Sequence, residues 1–357
     1  MPRARLDRRT ALCELHVHLG AAVTPAIMWG IAHAQGIRLP TKDYWAFRDL
    51  ITVGRRRRGF AAYLDLFHWT ELIQSSPIAV ERSVYECIGG AYRRNNITGI
   101  ELRFNPMKRN RGGEQDLDHI IAAAVRGMDR AILEYPQVRA GLIFCLDRSF
   151  PPELNEIIAA KAISWHSRGV VGIDIAGPDS DGFAFGDYRD IFAECRRAGL
   201  GLTVHAGESG GAAEVREAVE ALDPDRIGHG VHAADDPRVL DLLRERGTVL
   251  EVCPSSNLQT RVLAGLPDVR HVLRALIAHD VAFTISTDGP EMLRSYLRDE
   301  LNLLLRHEIL SLGEVRRAIE VGEEASFLDR APAIETSVGG REEPGIGAAP
   351  IRAEVAG

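Results

Sequence analysis

Six residues of this 357-residue chain have side chains that bind metals or move protons and stand at the ends of apolar runs: His16, His18, His205, Glu208, His229 and Asp288. In a strand, His16 and His18 face the same way, roughly 7 Å apart at the backbone, so their imidazoles can converge on one cation. Alone, such a pair is weak evidence for a metal, the bland alternative being two satisfied polar residues near a strand end. In His205-Ala206-Gly207-Glu208 the glycine permits a sharp turn between a histidine and an acid. A metal-bound imidazole beside a carboxylic acid suits metal-assisted hydrolysis, with the cation activating water and the acid shuttling a proton. The bland reading of Glu208 is a charge favouring a helix start. His229 is bracketed by Gly228 and Gly230, which leave room for a substrate beside its ring. Asp288 begins an Asp-Gly pair, ordinarily a turn, but after a β-run it becomes a fourth hard ligand. Three imidazoles and one carboxylate suit zinc, or a similar divalent ion, with one position left for water.

These groups are far apart in the chain and need a scaffold that gathers strand ends. Eight strand-like runs provide one: Leu12–Leu19, Ile97–Pro106, Val138–Arg148, Val170–Pro178, Leu200–Glu208, Arg226–Gly230, Val249–Asn257 and Val281–Pro290. Between them lie segments of helical periodicity, including Ile120–Leu133, Pro152–Ser167, Ala212–Leu222, Pro237–Glu245 and Val269–His279. Strand alternating with amphipathic helix predicts parallel strands and right-handed crossovers. The nearly unbroken apolar runs Val170–Ile175 and Val249–Val252 fit strands covered on both faces. The expectation is an α/β fold, a (β/α)8 TIM barrel whose C-terminal mouth carries the chemistry.

Two regions depart from this rhythm. Residues 22–96 form a long, mostly helical insertion after the first strand, with the run Arg55-Arg56-Arg57-Arg58 and the aromatics Phe60, Tyr63, Phe67 and Trp69. An insertion on the C-terminal face often serves as a lid. The tail, residues 339–357, is rich in Gly, Pro, Ala and Glu and reads as disordered, leaving 1–338 as a single barrel domain. A net charge of −7 argues against a nucleic-acid footprint. No run approaches the ~20 apolar residues needed to cross a bilayer, and no apolar signal region follows the basic start, so the cytoplasm is the expected location. Five scattered cysteines without a C-x-x-C pair do not read as a disulfide framework. The other eight histidines, His68 among them, read as helix-face and loop residues.

Together these residues resemble the adenosine deaminase family of metal-dependent amidohydrolases. The likeness lies in Glu14-Leu15-His16-Val17-His18-Leu19, Gly172-Ile173-Asp174-Ile175-Ala176-Gly177, Thr203-Val204-His205-Ala206-Gly207-Glu208, Arg226-Ile227-Gly228-His229-Gly230, Glu251-Val252-Cys253-Pro254-Ser255-Ser256-Asn257 and Ser286-Thr287-Asp288. It spans roughly residues 12–330. The resemblance implies zinc held by His16, His18, His205 and Asp288. It implies that Glu208 protonates purine N1, and that His229 orients or deprotonates the attacking water and steadies the developing oxyanion. Asp288 would also position that water, and Gly177 would contact purine N3. The implied reaction replaces the 6-amino group of a purine nucleoside or derivative with oxygen and releases ammonia.

Two positions differ from the family pattern. Gly20 stands where an aspartate usually holds the ribose 5′-hydroxyl, and Gly289 where a second aspartate usually contacts purine N7. Losing such substrate-holding carboxylates puts plain adenosine in doubt and makes the pocket less hostile to an anion. Lys108-Arg109-Asn110-Arg111 and the arginine run at 55–58 could supply positive charge, or be solvated surface. The expected substrate is thus a 6-aminopurine nucleoside or a 5′-modified or anionic relative. Deamination of a non-purine amino-heterocycle is the alternative. A non-catalytic metal-binding scaffold is the remaining one, although a structural zinc site has no need of Glu208.

Overall fold

The apolar runs become eight parallel strands: β1 (Leu12–His18), β2 (Ile97–Phe104), β3 (Arg139–Asp147), β4 (Val170–Ala176), β5 (Gly201–Ala206), β6 (Arg226–His229), β7 (Val249–Val252) and β8 (Phe283–Ile285). The computed structural model describes residues 5–54, 59–110, 116–178, 180 and 182–330. The strands are paired in sequence order, each parallel to the next. β1 closes the ring against the segment after β8, where His18 N donates to Asp288 O and Asp288 N donates to His16 O, both at 2.8 Å. Every residue of β4 is buried, as a strand covered on both faces requires. The expected α/β barrel is therefore what the chain forms.

The helices are α1 (Pro25–Ala34), α2 (Tyr44–Ile51), α3 (Phe60–Ile73), α4 (Pro77–Asn95), α5 (Leu117–Glu134), α6 (Pro152–Ser164) and α7 (Arg189–Arg197). They continue with α8 (Ala212–Leu222), α9 (Pro237–Arg246), α10 (Pro254–Gln259), α11 (Leu266–Ala278), α12 (Pro290–Leu293), α13 (Leu297–Arg306) and α14 (Leu312–Glu324). α4 starts as its sequence dictates: Ser76 Oγ accepts from Ala79 N, and Pro77 occupies the first helical position. It then packs on α5 and β2 as an ordinary crossover helix. The insertion proper is therefore α1 to α3, shorter than the 22–96 span.

Strand ends differ from the sequence expectation. Val249–Asn257 is not one strand: β7 stops at Val252, because Pro254 cannot donate to a ladder and instead opens α10. Likewise β8 is only Phe283–Ile285, and β5 ends at Ala206 before the turn at Gly207. Arg55–Arg58, Arg111 and the tail 339–357 lie outside the described residues. Among the described residues no helix is long and apolar enough to cross a membrane, and all five cysteines are free and buried.

Candidate active site at the barrel mouth

β1 delivers His16 and His18, β5 delivers His205, and the turn after β8 delivers Asp288. His16, His18 and His205 each bring a ring nitrogen within 4.8 Å of the others. His18 Nε2 lies 3.2 Å from His205 Nε2 and 3.5 Å from Asp288 Oδ1. Glu208 and His229 form the adjoining group, with His229 Nε2 3.5 Å from Glu208 Oε2. Glu208, His229 and Asp288 also bring one ligand atom each within that same mutual limit. All six residues singled out in the sequence are thus gathered at one place. His229 (φ 61°) and Asp288 (φ 63°) both sit in the left-handed region, where non-glycine residues carry strain that cooperates with function at such sites.

Beneath the histidines lies a layer of acids whose roles the sequence reading did not assign. His16 Nδ1 is 2.7 Å from Glu251 Oε2, and His205 Nδ1 is 3.0 Å from Asp174 Oδ2. Arg103, fully buried on β2, joins the two, donating to Asp174 Oδ2 at 2.9 Å, Glu251 Oε2 at 2.8 Å and Leu15 O at 2.6 Å. Burial alone would raise both acids. For Asp174 the neighbouring His205 and Arg103 outweigh it, and for Glu251 the arginines Arg103 and Arg226 do, so each stays below the usual carboxylate range. Two ionised acceptors fix Nδ1 of His16 and His205 as donors, which leaves the lone pair of each ring on Nε2. His16 Nε2 is buried without a hydrogen-bond partner among the described residues. Lone pairs aimed at one point, with a carboxylate beside them, make a fitting cradle for a divalent cation.

The rest of the site is equally constrained. Ser256 Oγ donates to Asp288 Oδ2 at 2.6 Å and Tyr63 Oη, from α3, to Asp288 Oδ1 at 3.1 Å. Asn257 Nδ2 lies 3.1 Å from His229 Nδ1, donating to it and leaving the His229 Nε2–H turned toward Glu208. Burial first, then His205 and Arg103, lowers the His229 imidazole to about 3. Burial likewise lowers His16 and His18 and raises Asp288.

Gly177 follows β4 at φ 109° and lines the cavity with His18, Glu208 and His229. The two unusual glycines now have a physical account. A Cβ on Gly289 would lie 2.6 Å from Tyr63 Oη and 2.8 Å from Ala21 Cβ; one on Gly20 would lie 2.8 Å from Phe67 Cδ1. Side chains of α3 occupy the space in which a residue at either position would grow. Of the expected aromatic group, Phe60, Tyr63 and Phe67 line the site, whereas Trp69 packs on the main core. His68, read from sequence as an ordinary helix-face residue, lines the adjoining compartment.

Comparison with known proteins agrees with this geometry. The profile described as "Adenosine deaminase" matches residues 11–335. The adenosine deaminase of Clostridium kluyveri is 29% identical over 317 residues, covering 89% of each chain. Among solved structures, adenine deaminase from Arthrobacter aurescens superposes with a TM-score of 0.79 at 22% identity, covering 88% of this chain and 93% of that one. An amidohydrolase from Burkholderia ambifaria with bound Zn gives 0.76 at 23% identity, with 90% and 87% covered. An Arabidopsis N6-mAMP deaminase gives 0.76 at 20% identity, with 90% and 94% covered. This chain belongs to the adenosine deaminase family and is a metal-dependent deaminase of the amidohydrolase fold.

Proposed function

We propose that the protein is a zinc-dependent hydrolytic deaminase that converts a 6-aminopurine nucleoside or derivative to the 6-oxo product and ammonia. One observation supports this above all: the Nε2 lone pairs of His16 and His205, fixed by Glu251 and Asp174, point with His18 and Asp288 to a place beside Glu208 and His229. His16, His18, His205 and Asp288 would hold the zinc, which supplies Lewis acidity and lowers the pKa of water toward ~7 when bound. The bound zinc of the Burkholderia structure is in keeping with this choice.

The remaining steps belong to the protein's own groups. Glu208 gives a proton to the ring nitrogen next to the amine-bearing carbon, which makes that carbon electrophilic. His229 presents its Nε2–H to the oxygen that gains charge during addition, the placement an oxyanion donor needs. Asp288 accepts from the attacking water, its oxygens held in place by Ser256 and Tyr63. Gly177 brings backbone to the wall against which the base lies. The similar structures include an adenine deaminase and an N6-mAMP deaminase, so an aminopurine is common to both names while the sugar end differs.

The test is an ammonia-release screen on zinc-loaded protein across adenosine, deoxyadenosine, adenine, AMP, 5′-modified adenosines and amino-pyrimidine heterocycles. At least one aminopurine should release ammonia. Glu208→Gln should abolish turnover while sparing metal content. Turnover confined to non-purines would replace the substrate, and ammonia release undiminished in Glu208→Gln would remove the mechanism.

A further inference from the structure

A second compartment of about 490 Å³ adjoins the catalytic pocket. The two share His18, Leu64, Phe67, Ala176 and Gly177, whereas Glu208, His205, His229 and Asp288 line only the inner one. A substrate whose amine-bearing ring lies against Glu208 therefore extends its opposite end past His18 and Gly177 into the outer space. In an aminopurine nucleoside that end is the sugar and whatever its 5′ carbon carries.

The chemistry of this outer wall is set by Gly20 and Arg109. Arg109 closes the short 3-10 turn Met107–Arg109 after β2, is only 2% exposed and lines the compartment. Its Nη2 lies 3.3 Å from where a Gly20 Cβ would stand, and Phe67 covers the same spot at 2.8 Å. Any side chain at position 20 would thus press its Cβ into the Phe67 ring and crowd the Arg109 guanidinium. The turn after β1 presents no acid here; instead a buried arginine with a flat, forked set of donors faces the cavity. Lys108, on the same turn, is ion-paired with Asp147. Asp65, exposed, and Glu71, half-buried, are further acids of the lining, both on α3. The buried cation beside Gly20 is the group suited to a planar or tetrahedral anion.

We infer that the outer compartment binds an anionic group, a carboxylate or phosphate carried on the substrate's end remote from the reacting amine, and that Arg109 is the specificity-determining residue. This rests on the deaminase reading above. Arg109 does not touch the reacting atoms, so its effect falls on substrate affinity rather than on the chemical step.

Steady-state ammonia release should be compared for adenosine, 5′-deoxyadenosine, adenosine 5′-monophosphate and adenosine-5′-carboxylic acid, and calorimetric binding for inosine and its 5′-monophosphate. The expected result is a kcat/KM for at least one anionic substrate on the order of 10- to 100-fold above adenosine. The phosphate and carboxylate arms identify which anion is preferred. Arg109→Gln should erase most of that advantage, mainly through KM, and Arg109→Lys should restore part of it. Because the wild-type comparison needs no variant, misfolding of Arg109→Gln cannot hide the answer. Adenosine or 5′-deoxyadenosine turned over as well as both anions would overturn the inference and leave the deaminase reading standing. If no aminopurine releases ammonia, the reading itself fails and takes the inference with it.

Discussion

The histidines of the mouth are only as good as the acids behind them. Glu251 and Asp174 each hold an imidazole by its Nδ1–H, and such outer acids typically govern metal affinity by 10–100-fold. Glu251→Gln or Asp174→Asn should weaken zinc by about that factor in competition with a chromogenic chelator; unchanged affinity would reduce these acids to core packing. Arg103 is a different case, since removing it takes the arginine partner from buried Asp174 and one of two from buried Glu251. Arg103→Met should cost about 3–5 kcal/mol in urea denaturation, as breaking buried pairs does. The reacting residues were legible in the sequence because all of them stand at the ends of strand-like runs, which a barrel gathers on one face. Arg103, Asp174 and Glu251 were harder, for a charge within an apolar run signals a buried partner without saying which. The three find one another only once β2, β4 and β7 close around the same axis.

Among the elements, α3 matters most to the site although it is not part of the barrel wall. It brings Tyr63 to Asp288 and Phe67 to Gly20. Tyr63→Phe removes the hydroxyl donor to Asp288 Oδ1 and should lower kcat about 10-fold, with KM changing less; a pure KM effect would make Tyr63 a substrate contact instead. The sequence marked an aromatic insertion, but not that two of its rings would fill the space beside Gly20 and Gly289, since that depends on how α3 docks. Element boundaries were similarly half legible. Proline at 254 marks the end of β7, yet the apolar run through Cys253 hides it. At the outer ring, α14 starts with a reciprocal cap between Ser311 and Glu314. Hydrogen bonding from Arg274, then from Ser311, holds Glu314 down to about 2 from 4.5. A carboxyl more acidic when folded stabilises fully above its unfolded value and loses that contribution as pH falls through 4.5 toward about 2. Glu314→Gln should therefore cost about 1 kcal/mol at neutral pH, with a gap in melting temperature that narrows at pH 3. A gap independent of pH would assign the loss to packing.

For the molecule as a whole, the barrel brings residues from positions 16 to 288 into one cradle, so cation binding and folding are linked. Zinc at about 1,000 times its Kd should add about 4 kcal/mol to the native state, and a chelator should lower the melting temperature correspondingly. Barrel architecture was legible from eight strand-like runs alternating with helical periodicity, the rhythm of parallel strands joined by helical crossovers. Substrate identity was not, since it depends on a wall assembled from the turn after β1, the turn after β2 and α3. An anomalous difference map at the zinc edge, from crystals of zinc-loaded protein, tests the central claim most directly. One peak bonded to His16 Nε2, His18 Nε2, His205 Nε2 and an Asp288 oxygen, beside Glu208, is the expected result. A peak elsewhere, or none at this cradle in protein that deaminates, would contradict it.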